Sequence, residues 1–310
     1  MTERDFEFQE IADGVWRFAA DGGPNSGVIV GDDGVMVVDG QPNAAAAAAL
    51  AERVTALRAG PVRWLALTHF HASRWAHLDV FPEAAVITSR KCRTELLHRG
   101  AGELEVAHLR DSVDIAPGGV MEPPDARLAF KSGLSVFLGS RKVELLHFGR
   151  GHTSGDAVAW VQDAGALFTG DLVERGVAPF IGDAAAPDWI ATLDRLALYR
   201  PAVLAPGRGP AALSGAEARD AFAAQRRFVA EMWSLGACAI EADHDLADAL
   251  RALDGGATRE MRAMPLWKRR AAFAAARLRD VAAGATIPKI WTAERVRAAA
   301  AAYRAVFRFA

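Results

Sequence analysis

Up to about residue 212, short β-branched runs alternate with glycine turns and helical stretches; beyond it, helical spacing takes over almost to the end. That break constrains the fold more than any other feature, because strands on both sides of several helices must find partners within one segment. Val28-Ile29-Val30 and Val35-Met36-Val37-Val38 flank Gly31-Asp32-Asp33-Gly34, which reads as a hairpin, with Gly14-Val15-Trp16-Arg17-Phe18 a strand before it. Ala44 to Ala59 places Leu50, Val54 and Leu57 on one helical face. Arg63 to Leu67 and Ala85 to Thr88 read as strands, Lys91 to Gly100 as a helix, and five apolar runs between 128 and 168 as further strands. The pattern predicts an α/β fold, a two-sheet αββα sandwich over residues 1–212, with residues 213–310 a C-terminal helical extension packed on it. In the extension, 216–235, 271–281 and 293–307 carry helical periodicity, with Trp233, Trp267 and Trp291 as packing anchors.

A chain of 310 residues buries a substantial core without disulfides, and its two cysteines, Cys92 and Cys238, form no framework. A net charge of -2 argues against nucleic acid as a partner, so the paired arginines of the C-terminal segment read as solvated helix faces. The N-terminal residues lack the basic and apolar regions of a secretory signal, and no run reaches membrane-spanning length. A cytoplasmic protein handling a small molecule is expected, with no membrane partner and a homodimer suggested by the apolar C-terminal third.

Three places carry chemistry. Strand 63–67 runs into Thr68-His69-Phe70-His71, where two histidines leave the C-terminal end of a strand. Taken alone, the pair reads as satisfied, partly buried histidines. Gly149-Arg150-Gly151-His152-Thr153-Ser154-Gly155-Asp156 delivers a third histidine in a glycine-rich turn, with Asp156 fixing that turn or a histidine, and Leu167-Phe168-Thr169-Gly170-Asp171 ends a strand in a carboxylate. Three histidines and a carboxylate, each at a strand end or turn, suit a four- or five-coordinate site for zinc or ferrous iron.

In order and wording these motifs resemble the metallo-β-lactamase superfamily over roughly residues 10 to 212. The resemblance includes Asn25-Ser26-Gly27, Val37-Val38-Asp39, the His69/His71 motif, 151–156, Phe168-Thr169-Gly170-Asp171-Leu172 and Pro206-Gly207-Arg208-Gly209-Pro210. The run Gly176 to Asp183, followed by a helix and the Pro-Gly-x-Gly-Pro turn, resembles the small-substrate branch that includes the quinoprotein-associated zinc hydrolases. The resemblance implies that His69, His71 and His152 bind a first metal and that Asp171 is the carboxylate shared with a second. It also exposes departures. Where the family has His-x-His-x-Asp-His, the last two positions are Ser73 and Arg74, and the histidine of the final turn is Arg208. A guanidinium offers only donors and cannot ligate a cation. The implied state is a mononuclear site with a degenerate second site and with the family's general-base aspartate replaced by Ser73.

Three readings stay open from the sequence. One is a metal-dependent hydrolase with one zinc ion, acting on a small ester, thioester, lactone or amide with an anionic group bound by Arg74 and Arg208. In it Ser73 and His77, the latter one helical turn past Arg74, are the candidates for a catalytic role beside metal-activated water. The second is a non-catalytic ligand-binding or regulatory protein, with or without metal. The third is a mononuclear iron oxygenase.

Overall fold

The computed structural model describes residues 6–20, 22–111 and 122–307; the first five residues of the N-terminal segment lie outside them. Among the described residues, seven strands form one sheet: β1 (Phe6–Ala12), β2 (Val15–Ala20), β3 (Asn25–Gly31), β4 (Gly34–Val38), β5 (Val62–Ala66), β6 (Ala85–Ser89) and β7 (Leu128–Phe130), paired in chain order. The first four are antiparallel, and β4 to β7 run parallel, with α1 (Ala44–Ala56) and α2 (Arg90–Asp111) in the crossovers. The second sheet contains β8 (Gly133–Leu138), β9 (Arg141–Leu146), β10 (Val158–Val161), β11 (Ala166–Phe168) and β12 (Val203–Ala205), in the order β12-β11-β10-β9-β8.

Strand alternation divides the apolar residues between three cores. Ile29, Met36 and Val38 point inward to meet Val136, Leu145, Ala159, Phe168 and Ala205 of the other sheet. Their neighbours Val28, Val35, Val37 and Leu65 point outward to Leu50 and Val54 of α1 and Leu96 of α2. On the far side, Val158, Trp160, Leu167 and Leu204 pack under α3 (Ala186–Ala197) and α4 (Gly215–Ala239), whose Trp189, Leu193, Phe222 and Phe228 are buried there. The architecture is a helix-sheet-sheet-helix sandwich, as the sequence predicts.

The C-terminal helices α5 (Leu246–Gly256), α6 (Arg259–Ala263), α7 (Trp267–Ala282) and α8 (Ala293–Phe307) extend that third core: Leu250, Trp267, Phe273, Trp291 and Val296 belong to the same buried cluster as Trp189 and Phe222. Both α7 and α8 also contact α2, so the extension reaches round to the end of the sandwich where β5, β11 and β12 stop. No helix of the described residues is long and apolar enough to cross a membrane.

Several expectations need adjustment. The strand β1 went unread, although its register sets Phe8 opposite Phe18. The helix expected to stop at Gly100 continues to Asp111. Gly100 lies inside α2 because a Cβ there would stand 2.4 Å from Pro123 Cγ, so the glycine serves close packing and not termination.

Candidate metal centre

Each motif reaches the site from the end of a strand. The chain leaves β5 through Thr68 into His69 and His71, then makes a single 3₁₀ turn, Ala72–Arg74. The loop between β9 and β10 brings His152, and β11 ends at Thr169-Gly170-Asp171. After β12, Gly207 passes so close to Asp171 that a Cβ would stand 2.0 Å from Asp171 Oδ1, which excludes any side chain there. The three imidazoles meet edge to face, each pair of ring centroids 4.8 Å apart. All are buried, at 1 % exposure or less, and Asp171 beside them is 4 % exposed.

The hydrogen bonds settle which ring nitrogen faces the centre. Thr68 Oγ1 donates its hydrogen to Asp39 Oδ2 at 2.6 Å, so it accepts from His69 Nδ1 at 3.0 Å. His71 Nε2 donates to the Asp183 carboxylate at 3.0 Å, and His152 Nδ1 donates to the Phe180 carbonyl at 3.0 Å. In the neutral tautomers that make these bonds, His69 Nε2, His71 Nδ1 and His152 Nε2 turn their lone pairs toward the centre. These are the atoms that converge: His152 Nε2 lies 3.0 Å from His71 Nδ1, and Asp171 Oδ2 lies 3.6 Å from His69 Nε2 and 3.7 Å from His152 Nε2. Three lone pairs and a carboxylate oxygen facing one another repel unless a cation stands between them. Zinc–nitrogen bonds of about 2.0–2.1 Å imply tetrahedral edges of roughly 3.3 Å, within the spread of these separations. The donor set fits one divalent ion.

Two buried arginines stand on the other side of Asp171. Arg74 is fully buried and donates from Nη2 to Asp171 Oδ1 and to Gly207 O at 3.1 Å, and from Nη1 to Asn25 O at 3.0 Å. Asp171 thus gives one oxygen to the guanidinium and turns the other to the histidines. Burial alone would raise its carboxyl; the Arg74 guanidinium, with Arg208 behind it, overrides burial and holds it well below the ordinary range. Arg208, 2 % exposed, sets Nε 3.3 Å from Glu174 Oε1, and Arg270 of α7 donates to both oxygens of the same carboxylate at 2.8 and 2.9 Å. Asp39, held at a φ of 58° where its carboxylate also accepts Thr68 N, lies 3.8 Å from Arg74; burial raises it to about 6 against that charge.

His69, His71, His152, Asp171, Arg74 and Arg208 are therefore brought together. Ser73 and His77 are buried, but among the described residues neither hydrogen-bonds to the three histidines or to Asp171. Asp156 fixes its turn, accepting Thr153 N and Thr153 Oγ1. Sequence reasoning missed Asp183 as a holder of His71, and Arg99, which donates to Asp183 at 2.6 Å. His71, Asp183 and Glu103 also cluster within 4.8 Å, but with His71 donating and Arg99 bridging, that group positions the histidine. Asp183 ends an apolar run, a faint signal; Arg99 sits in an ordinary helical stretch and gives none.

A family model described as the metallo-beta-lactamase superfamily matches residues 19–208, more than half of the chain. The chain belongs to that superfamily. Among solved structures it is similar to a metallo-beta-lactamase from Pontibacter korlensis, at 18 % identity and a TM-score of 0.54, with 73 % of this chain and 99 % of that one covered. It also resembles TMB-1 at 16 % identity and the DIM-1 metallo-beta-lactamase at 14 %, each with a TM-score of 0.56 and 73 % of this chain against 97 % of the other. At these identities the likeness defines the fold.

Proposed function

We propose that this chain is a single-metal hydrolase in which His69, His71 and His152 would hold one zinc ion beside the Asp171 carboxylate, with a position left open for water, and which cleaves a small ester, thioester, lactone or amide. The observation that carries this reading is the occupied outer nitrogen of each histidine, which leaves three lone pairs aimed at one point beside an ionised carboxylate. When bound, the ion supplies Lewis acidity and lowers the pKa of water. The residues do the rest: Thr68, Asp183 and Phe180 O keep each imidazole in its ligating tautomer. Arg74 supplies from the protein the positive charge of the second site and keeps Asp171 ionised.

This changes the role expected for the arginines. Arg74 and Arg208 are buried against Asp171 and Glu174, and Arg270 adds a third positive charge to face Asp39, Asp171 and Glu174. With their guanidinium groups held by carboxylates of the protein rather than free for a substrate, charge replacement is the function that fits Arg74 and Arg208.

The reading is tested by assaying zinc-loaded protein on nitrophenyl esters, acyl thioesters, lactones and anilides. Turnover that vanishes on chelation, returns with zinc and is lost in His152→Ala supports it. The burial of all four metal-facing residues, none above 4 % exposure, favours a second reading: a non-catalytic fold that keeps its metal. Stoichiometric zinc with no turnover of any substrate selects that alternative.

A further inference from the structure

Two of the three metal-facing histidines take their outer hydrogen bond from one short segment. Phe180 O accepts from His152, and Asp183 accepts from His71. The Phe180 ring also lies against both imidazoles, 5.7 Å from His71 and 5.9 Å from His152 between centroids. What holds segment 174–184 itself therefore sets the geometry of the centre.

That support comes largely from α7 and the residue turn before it. Arg270 donates to both oxygens of Glu174 and, at 2.7 Å, to Ala178 O, while Glu174 Oε2 in turn accepts Phe180 N at 3.1 Å. Ala178 N donates to Pro265 O at 2.9 Å. Phe273 packs edge-on against Phe180 with 5.6 Å between centroids, and Trp291 backs Phe273 at 4.8 Å. Arg277 Nε donates to Ala184 O at 2.9 Å. Arg270, Phe273 and Arg277 lie at a spacing of three and four, on one face of the helix, and the three side chains are at most 4 % exposed.

Resting on the single-metal reading above, we propose that α7 is a working part of the metal centre: Arg270, Phe273 and Arg277 are positioning residues that fix segment 174–184, and through Phe180 O and Asp183 fix His152 and His71. The coupling is reciprocal, since whatever binding the metal gains from a docked α7, α7 gains from the metal. Apart from Trp291 behind Phe273, the contacts of Arg270, Phe273 and Arg277 described above all fall on segment 174–184, which carries their effect to the histidines.

The test follows amide hydrogen exchange of residues 267–282 in the full-length protein, metal-free and zinc-loaded, together with zinc affinity from competition with a chromophoric chelator. Zinc is expected to slow exchange across α7 at least tenfold. Arg270→Gln and Phe273→Leu, shown to be folded by circular dichroism, are expected to lose about 10- to 100-fold in zinc affinity, the size of effect seen when a ligand's supporting hydrogen bond is removed. Arg270→Lys, which keeps a donor, recovers part of the loss, and cobalt-loaded Arg270→Gln shows an altered visible spectrum. Zinc that binds stoichiometrically yet leaves α7 exchange unchanged overturns this proposal alone, even if the variants fail to fold. Wild-type affinity in the folded variants does the same. No zinc binding in the wild-type protein overturns it together with the proposed function.

Discussion

Arg74, itself fully buried, meets Asp171 Oδ1, the carbonyls of Asn25 and Gly207 and, at 3.8 Å, Asp39. Removing one partner of such a pair leaves a buried charge uncompensated. Arg74→Met is therefore expected to cost about 3–5 kcal/mol in the metal-free protein, measured by urea unfolding, with part of the loss recovered when zinc is added. Gly207 makes the opposite kind of demand, for absence of atoms. Gly207→Ala would drive a methyl into Asp171 Oδ1 and Gly170 C, 2.0 and 2.6 Å from the ideal Cβ. It is expected to destabilise by about 1–3 kcal/mol and to weaken zinc binding, read by melting and chelator competition. At this scale the sequence was legible where a residue type has one chemical use: three histidines, an aspartate after Gly170, and arginines that cannot be ligands. It was not legible where role depends on a distant partner. Nothing in Arg74 or Arg208 distinguishes an anchor for substrate from a buried counter-ion until Asp171 and Glu174 are seen beside them.

The helix α2 carries a partly buried acid, Glu95, away from the three histidines. Glu95 is raised to about 7 by burial, against the lowering influence of Arg99 and Ser154 and with Asp183 and Glu103 adding repulsion. Its folded pKa lies above the ordinary 4.5. Between these two values the unfolded chain releases a proton that the folded chain keeps, so stability falls as pH rises through that window and levels off above about 7. Glu95→Gln has no such term. The stability of the variant relative to wild type is expected to rise across the window, by at most about 3 kcal/mol for a shift of this size, as read from denaturant unfolding at pH 5 and pH 8. Elements were legible in proportion to their periodicity. The hairpin β3–β4, α1 and α8 carry clean patterns, and α8 spans Ala293–Phe307 as expected. The strand β12 is three residues of the run Val203-Leu204-Ala205, too short for any period to register, whereas α5 went unread although Ala249, Leu250 and Leu253 share one face behind the Asp245 cap.

The whole molecule joins a sandwich whose strand ends gather the ligands to a helical region that holds their supports from outside. The sandwich follows from alternation within each strand, a local property of sequence. The clamp on segment 174–184 does not, because Glu174 and Arg270 are 96 residues apart and each alone reads as an ordinary charged residue. A ligand that binds only the folded state stabilises it by mass action, so zinc at 100 times its dissociation constant is expected to add about 2.7 kcal/mol, seen as a rise in thermal midpoint that His69→Ala abolishes. The central claim, that the fold keeps one metal site and fills the other with arginine, is tested most directly by titrating metal-free protein with zinc and counting ions at the end point by elemental analysis. One tightly held ion per chain, absent in His152→Ala, is the predicted result; two ions per chain, or none in a folded protein, would contradict it.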